Sequence, residues 1–329
     1  MKRITIKDIA RDLGIHHSTV SRALRSSPEI NSNTIDRVLN YAAQSGYQLN
    51  RNALHLRGSG SNIIGVVVPN IYHSFFSNFV SIITRLAFAS GYIVAVFQSE
   101  ESVKQEKEII KSIIQQNIAG VISSLSMEST DVSHFMQLEQ YKIPLVCFDR
   151  ISTTLKQSTV VLDNESALRN VVLRLHTKGY TRIAYFSGNP SIHLFSERQK
   201  GYFSGLIEIN SQYKKCLRIS DGFTFKRGFE LTQQLFNSDK KPDALIFDSH
   251  FLAVGALHYL KTPGSDSINR TGIASFGGYP WLSLAAPNAL IIQQPEEKMA
   301  EASFGLLKEA IQNPANKNIS ALKFQAELI

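Results

Sequence analysis

Residues 5–24 of this chain read TIKDIARDLGIHHSTVSRAL, and this stretch restricts the fold more than any other. Four apolar residues recur at helical spacing: Ile6, Ile9, Ala10 and Leu13. Thr5 followed by Asp8 predicts a capping box at the start of this helix, and Gly14 predicts its end. The first twenty or so residues therefore predict a short helix followed at once by a sharp turn.

A second short helix is predicted directly after Gly14, with Val20, Ala23 and Leu24 on its inward face. The opposite face is then polar and carries His17, Ser18, Ser21, Arg22 and Arg25. The segment 31–45 repeats the pattern, with Gly46 as its stop. Its inward positions are Ile35, Val38, Leu39 and Ala42. Three such helices can close a small core, which predicts a helix-turn-helix unit.

Charge is concentrated in the same region. The chain of 329 residues has a formal net charge of +8, and residues 1–60 hold nine basic and four acidic side chains, a net charge of +5. This asymmetry favours a polyanionic partner such as DNA, although a solvated helical surface would give the same count. Hydroxyls, an imidazole and arginines on one helix face are side chains that can bind base edges and phosphates.

The segment GYQLNRNALHLRGSGSN, residues 46–62, follows the helical unit. It is short and basic, carries Leu54 and Leu56, and ends in a Gly/Ser linker. An apolar side chain on a basic arm is what a minor-groove wedge requires. We therefore expect this arm to join the helical unit to the rest of the chain and to contact DNA.

Composition places the whole chain among globular proteins of a reducing compartment. Hydrophobic residues make up 43% and charged residues 19%, and Cys147 and Cys216 belong to no CxxC motif or Cys/His cluster. We therefore expect no disulfide, no metal site and no cofactor. The N-terminus lacks the apolar core of a signal peptide, and no window reaches the length of a membrane span, which predicts a cytoplasmic protein.

Enzyme motifs are missing from the sequence. GSGSN is a lone GxG before a strand, and GxxxxGK[ST], GxSxG and HExxH do not occur. We therefore predict that the chain is not an enzyme.

Beyond residue 60, apolar runs such as NIIGVVVP, YIVAVFQ, PLVCFD, RIAYFSG and ALIFD alternate with helical patterns. Continuous apolar strands between helices predict parallel sheets covered on both faces. The pattern pauses near STVVLDNES and restarts at GYTRIAYFSG, which indicates two α/β subdomains. Ligands of such sheets bind beyond the carboxyl ends of the strands, so a site is expected in the cleft between the subdomains.

Side chains at these strand ends are the candidate ligand-binding residues. They are Tyr72, His73, Phe75, Asp149, Arg198, Ser249, His250, Gly277 and Gln294. An aromatic platform with a few convergent polar groups suits a sugar or sugar derivative. Structural roles remain open for each: Asp149 could cap a helix, Arg198 could form an ion pair, and Phe75 could be core.

The segments TIKDIARDLGI, TVSRAL, RVLNYAAQSGYQLNRNALHLR and NIIGVVVPNIYHSFFSNF resemble the lac-repressor (LacI/GalR) family of bacterial transcription regulators. The resemblance implies a helix-turn-helix head at 1–47, a hinge helix and linker at 48–60, and a periplasmic-binding-protein-like core at 61–329. The core would comprise a first subdomain, about 61–161 and 294–320, and a second, about 162–293 and 321–329. Phe75, Asp149, Arg198 and Ser249 occupy effector-binding positions of the family.

The resemblance also implies a homodimer on a near-palindromic DNA operator, with hinge helices coupled to effector binding. The expected DNA-binding residues are Thr5, His16, His17, Ser18, Thr19, Ser21, Arg22, Asn50, Ala53, Leu56 and Arg57, with Leu56 as the wedge. The family pattern leaves open whether the effector induces or corepresses.

This chain departs from the family pattern in two regions. His16 stands where a capping Ser is usual, which predicts a cap weakened by about 1 kcal/mol, and Leu49 replaces a Pro before the hinge. In the core, FGGYP and His250 replace common acidic residues. With His73 and His193 nearby, a basic lining is expected to favour a sugar phosphate or sugar acid over a neutral sugar.

Two other classes of function fit the sequence less well. A solute-binding protein for transport would share the core but not the basic helical head, and an enzyme of the doubly wound class would carry motifs that are missing here. The sequence therefore predicts a ligand-responsive repressor that binds DNA.

Overall fold

A computed structural model describes residues 4–24, 26–47, 61–220, 222–262, 268–316 and 318–329 of the chain. The chain forms two compact units, Met1–Gly60 and Ser61–Ile329. The boundary falls at the end of the predicted Gly/Ser linker.

The first unit contains the three predicted helices, Ile6–Leu13, His17–Ala23 and Ser32–Gln44. The Thr5 hydroxyl accepts from the backbone N–H of Asp8, whose carboxylate accepts from the backbone of Thr5, so the capping box is present. Gly14 has φ +64, a conformation that favours glycine, and ends the first helix.

A small apolar core joins the three helices of this unit. Its fully buried members include Ile9, Val20, Ala23 and Val38. Leu39, expected to face inward, is 40% exposed, because it lies one helical step beyond Val38, at the margin of the buried stripe.

The second unit contains two six-stranded sheets. Their strands are β1 (Ile63–Val68), β2 (Ile93–Gln98), β3 (Gly120–Ser123), β4 (Leu145–Phe148), β5 (Ser158–Leu162), β6 (Ile183–Ser187), β7 (Lys215–Arg218), β8 (Ala244–Phe247), β9 (Gly272–Phe276), β10 (Leu290–Gln293), β11 (Ala321–Phe324) and β12 (Glu327–Leu328). The strand order is β11-β5-β4-β3-β1-β2 in the first sheet and β12-β10-β9-β8-β6-β7 in the second. Strand pairs in the described chain are parallel, apart from antiparallel β10 and β12.

Helices cover both faces of each sheet, as continuous apolar strands require. They are Ser74–Ala89, Val103–Gln115, Ser133–Gln140, Asn164–Thr177, His193–Glu208, Phe225–Phe236, His250–Leu260, Trp281–Ala285 and Glu296–Gln312, with a 3₁₀ turn at Ile268–Arg270. Within the described ranges, no helix combines the length and the apolar character that crossing a membrane needs.

The chain passes between the two sheets three times: after β5, after β10 and after β11. The last passage corrects an expected boundary, because the family resemblance predicts residues 321–329 as a whole in the second subdomain. Residues Ala321–Phe324 instead pair with β5 of the first sheet, and only Glu327–Leu328 pairs with β10 of the second. Residues 325 and 326 therefore connect the two sheets. The boundary depends on which distant strand each segment pairs with, and the local sequence carries little information about that pairing.

Candidate functional site

The turn of the helix-turn-helix is closed by an imidazole. His16 is the N-cap of the second helix, and its Nδ1 accepts a hydrogen bond from the Ser18 backbone N–H at 3.3 Å. The Ser18 hydroxyl lies 2.7 Å from the same nitrogen. A cap is therefore present at this position, with Nδ1 of the imidazole accepting the hydrogen bond that a serine hydroxyl would accept; the weakening by about 1 kcal/mol stays a prediction.

The second helix presents His17 and Arg22 to solvent, with Ser18 and Thr19 partly exposed beside them. Arg22 forms an ion pair with Glu29 at 3.2 Å. Ser21 does not share this face, because it is only 9% exposed. The reason is geometric: Ser21 lies about 100° around the helix from buried Val20, at the edge of the inward face.

Several predicted DNA-binding residues are placed differently or not described. The Thr5 hydroxyl is engaged by Asp8 in the capping box, at 2.7 Å. Asn50, Ala53, Leu56 and Arg57 of the expected hinge, and Arg25, which was predicted on the polar face, lie outside the described residues.

The core has a cavity between its two sheets. Its volume is about 610 Å³ when the open mouth is included. It lies at the carboxyl ends of β4, β8, β9 and β10, as expected for parallel sheets. Eight of the nine predicted ligand-binding residues line it: His73, Phe75, Asp149, Arg198, Ser249, His250, Gly277 and Gln294.

Tyr72 is the predicted residue that does not line the cavity, and it is 80% exposed. It sits in a bend before the helix Ser74–Ala89, where adjacent side chains point in different directions, and its neighbour His73 takes the inward position. His193 is also outside the lining. The helix His193–Glu208 turns Leu194, Phe195 and Arg198 toward the cavity instead.

Arg198 is fixed by neighbours on every side. It is 3% exposed, donates from Nε to Asn164 at 2.8 Å, and donates from Nη1 to Asp248 at 2.9 Å. Its guanidinium carbon lies 3.3 Å from the centroid of the Phe276 ring. Asp248 in turn accepts from the Tyr185 hydroxyl at 2.7 Å. The positive charge of Arg198 is therefore balanced within the protein.

Arg150 is the second arginine of the cavity, and it too has a carboxylate partner. Its Nη1 lies 2.9 and 2.7 Å from the two oxygens of Glu101. The residues predicted for the cavity did not include Asp248 and Phe195, which also line it. The signal for Asp248 was present, because it ends the strand ALIFD as Asp149 ends VCFD.

Two buried acceptors face this arrangement without a protein donor. The Asp149 carboxylate makes no side-chain hydrogen bond among the described residues, although the residue is only 7% exposed and its backbone has φ +56. Burial raises the pKa of Asp149 above its usual range, against the opposing charges of Arg150 and Arg198. The Gln294 side-chain oxygen is likewise buried without a partner. Both can accept hydrogen bonds from a ligand.

The remaining predicted residues serve mainly as walls. Ser249 caps the helix His250–Leu260, its hydroxyl accepting from the Phe251 N–H at 3.3 Å. Phe75 packs against Phe76 and Phe148 while it lines the cavity. Gly277 has φ +66 and Gly278 φ +98, in the left-handed region that favours glycine.

The two histidines of the lining contribute no positive charge near neutral pH. Burial, with the charges of Arg150 and His250, lowers the pKa of His73 to about 3. Burial also lowers the pKa of His250. The rings of the two histidines lie 5.6 Å apart, one from each subdomain.

The expectation of a basic lining is therefore wrong. In the described chain two arginines, Arg150 and Arg198, line the cavity together with three carboxylates, those of Asp149, Asp248 and Glu296. Both arginines have carboxylate partners, and burial keeps both histidines uncharged near neutral pH. The lining therefore offers no unpaired positive charge to an anion. Sequence counting could not find this, because the partners of the arginines are distant in the chain.

Comparison with known proteins agrees with both units. A family model described as bacterial regulatory proteins, lacI family, matches residues 5–50. One described as periplasmic binding proteins and sugar binding domain of LacI family matches residues 61–325. The chain belongs to the LacI family.

Relatives within the LacI family align over nearly the whole chain. Catabolite control protein A of Priestia megaterium is 25% identical over 307 residues, 92% of this chain and 91% of that protein. The transcriptional repressor CytR of Escherichia coli K12 is 29% identical over 313 residues, 94% of this chain and 90% of CytR.

A solved structure of the lac repressor dimer bound to operator and the anti-inducer ONPF matches with a TM-score of 0.86. The match covers 100% of this chain and 98% of that one, at 21% sequence identity. This likeness shows a shared fold: a helix-turn-helix unit and a core of two parallel-sheet subdomains.

Proposed function

We propose that this LacI-family regulator is a repressor that binds a specific DNA operator and whose affinity for that operator depends on a small metabolite in the core cavity. The observation that carries the proposal is a cavity lined by two acceptors: the Gln294 side-chain oxygen, which is buried without a partner, and the carboxylate of the buried residue Asp149. The same chain presents an exposed polar helix. A cavity that keeps buried acceptors unsatisfied is built to take donors from a ligand. Its role is therefore binding rather than catalysis.

For DNA, the exposed face of the second helix supplies the base-reading groups. His17, Ser18 and Arg22 would face the major groove, while His16 and Thr19 would contact phosphates. Thr5, whose donors are engaged by Asp8, would position the first helix against the DNA backbone. The buried position of Ser21 leaves it a supporting role at most. Asn50, Ala53, Leu56 and Arg57 would enter the adjacent minor groove, with Leu56 as the wedge.

A gel-shift assay of the full chain on genomic fragments tests this assignment. We expect a few fragments to stay bound at salt concentrations that release random DNA, since base contacts add to the binding free energy that phosphate contacts supply. Uniform retention of all fragments would contradict operator recognition. Operator DNA lies in the bacterial cytoplasm, and we place the protein there.

The operator would be near-palindromic and the protein a homodimer, because one recognition helix reads few base pairs. The core offers an apolar surface for a second copy: Trp281 is 72%, Leu284 76% and Tyr279 56% exposed. Large apolar side chains exposed within one short segment, residues 279–284, favour an interaction site there. In sedimentation velocity, Trp281→Asp should shift the dimer toward monomer. Ile207→Asp, on a different helix and 67% exposed, should leave it dimeric.

For the effector, the charges of the cavity favour a neutral sugar or sugar derivative over a sugar phosphate or acid. Sugar hydroxyls donate to Asp149 and Gln294, and the apolar faces of a sugar ring can lie against Phe75 and Phe195. An anion would have to break the pair of Arg198 with Asp248 or of Arg150 with Glu101.

Calorimetric titration of the protein with a panel of neutral sugars and their phosphates tests the effector class. We expect a neutral member to bind, and Asp149→Asn to weaken it at least tenfold, since a charged hydrogen bond is lost. Asp131→Asn, on the surface, is the matched control and should bind normally. Tighter binding of the phosphate would overturn the neutral assignment. The same titration with operator present distinguishes inducer from corepressor.

A further inference from the structure

The loop Leu125–Thr130 follows β3 and is fixed to the first subdomain through its backbone. The Leu125 N–H donates to the Arg150 carbonyl at 3.1 Å. The Ser126 N–H donates to the Glu106 carboxylate at 2.9 Å, and the Met127 N–H donates to the Glu101 carboxylate at 2.8 Å. Three consecutive backbone amides thus have fixed partners.

The anchor at Glu106 is fully buried. Its carboxylate also accepts from His134 Nε2 at 2.9 Å and from the Ser129 hydroxyl, and Glu106 is 0% exposed. Moving the loop would leave this buried carboxylate short of donors, which is costly in a low-dielectric interior. The loop therefore moves with the first subdomain.

The side chain of Met127 reaches the other subdomain. It packs against an apolar cluster of Ile192, Leu194 and Phe195, which are 5%, 3% and 2% exposed. Leu194 and Phe195 also line the cavity. Widening the cleft would draw Met127 away from this cluster and expose its apolar surface to water.

Glu101 connects this contact to the cavity. The oxygen that accepts from the Met127 amide lies 2.7 Å from Arg150 Nη1, and Arg150 lines the cavity. The guanidinium carbon of Arg150 is 6.0 Å from the centroid of Phe195, a member of the cluster that Met127 contacts. One carboxylate thus holds both a cavity side chain and the loop that spans the cleft.

We propose that Met127 is a latch that holds the two subdomains together over the cavity, and that Glu101 ties this latch to Arg150 in the cavity wall. A ligand hydroxyl that accepts a hydrogen bond from Arg150 shifts the Glu101 carboxylate, which also holds the Met127 amide, so occupancy of the cavity changes the stability of the closed form without breaking the ion pair. The inference rests on the proposed function, because it assigns regulation to the same cavity. Its test, however, uses neither effector nor operator.

Hydrogen–deuterium exchange of the full chain without ligand, read by mass spectrometry, tests the latch. Met127→Ala should increase exchange in the segment 192–202 about tenfold, the factor expected when roughly half of a buried methionine's transfer free energy is lost. Met127→Leu keeps the volume and should stay within about twofold of the parent. Glu101→Gln should increase exchange at the Met127 amide itself.

Met136→Ala is the matched control, because Met136 is 47% exposed in the same subdomain, and it should change nothing in 192–202. Unchanged exchange at 192–202 in Met127→Ala would overturn the proposal. So would an equal rise in the internal strand β6, which would report global unfolding instead of cleft opening. Because failure of the gel-shift or calorimetric assays leaves these rates unaffected, the two proposals fail separately.

Discussion

Each unit of the protein contains an arginine that sequence reasoning assigned to ligand recognition, and the two sit in opposite environments. In the core, Arg198 and Asp248 lie 2.9 Å apart with side chains 4% and 0% exposed. In the helix-turn-helix unit, Arg22 and Glu29 lie 3.2 Å apart with side chains 55% and 67% exposed. The distances within the two pairs are similar, but the exposure of their side chains to solvent differs.

The difference decides what each arginine can do. An exposed pair contributes about 0–1 kcal/mol, so Arg22 can leave Glu29 for a phosphate or a guanine at small cost. Separating a buried pair leaves a charge in the protein interior without its partner, which is costly. Arg198 therefore stays paired with Asp248 and presents a fixed, neutralised surface to a ligand. Burial thus separates an exchangeable recognition residue from a structural one.

The largest expected effect is at the buried pair. Asp248→Asn leaves the Arg198 charge buried without its partner and should lower the free energy of unfolding by about 3–5 kcal/mol. Urea denaturation followed by circular dichroism measures it. Glu208→Gln, which breaks the half-exposed pair with Arg169, is the control and should cost under about 1 kcal/mol. Equal losses of unfolding free energy in the two variants would contradict the claim that burial distinguishes the two pairs.

At the exposed pair the effect should appear in DNA binding. Arg22→Ala should weaken operator binding by about 1–3 kcal/mol and random DNA much less, because a base contact carries specificity and a phosphate contact does not. Fluorescence anisotropy with both DNAs measures the two affinities. The same loss on both would make Arg22 a phosphate contact.

A third pair lies between these extremes. Asp163 and Lys323 are 3.0 Å apart with side chains 14% and 51% exposed, at a passage between the sheets. Desolvation acts to raise the pKa of Asp163, but hydrogen bonds from Gln325, Lys323 and Ser166 outweigh it and lower that pKa to about 2.

Because the folded pKa of Asp163 is depressed, its contribution to stability is present above about pH 4 and is lost as the pH falls through about 2. Solvent screening limits this contribution to about 1 kcal/mol. Asp163→Asn should therefore lower the free energy of unfolding at pH 7 and flatten its fall between pH 4 and 2. An unchanged acid profile in chemical denaturation would show that this carboxylate is not the group responsible.

The smallest effect is expected for Glu29→Gln. Stability should change by less than about 1 kcal/mol, since the pair is exposed. DNA affinity should rise slightly at low salt, because Arg22 is released and a negative charge near the phosphates is removed. Salt titration of operator binding measures it; a stability loss as large as that of Asp248→Asn would contradict the assignment.

Local patterns in the sequence predicted the elements of both units. The apolar spacing from Ile6 to Leu13, the Thr5–Asp8 capping box and Gly14 describe the first helix as the structure has it. The alternation of apolar runs and helical patterns predicted the parallel sheets, and strand ends predicted eight residues of the cavity lining. These succeed because helix and strand periodicity depend on residues near one another in the chain.

Partners that come from distant parts of the chain were decided by the tertiary structure. Asp248 neutralises Arg198 from 50 residues away, and Glu101 neutralises Arg150 from 49, which removes the positive charge predicted for the cavity. Met127 contacts the other subdomain, β11 joins the first sheet, and Tyr72 turns away from the cavity beside His73. Long-range packing and burial determine which charges are paired and which side chains line a cavity. No local sequence pattern encodes them.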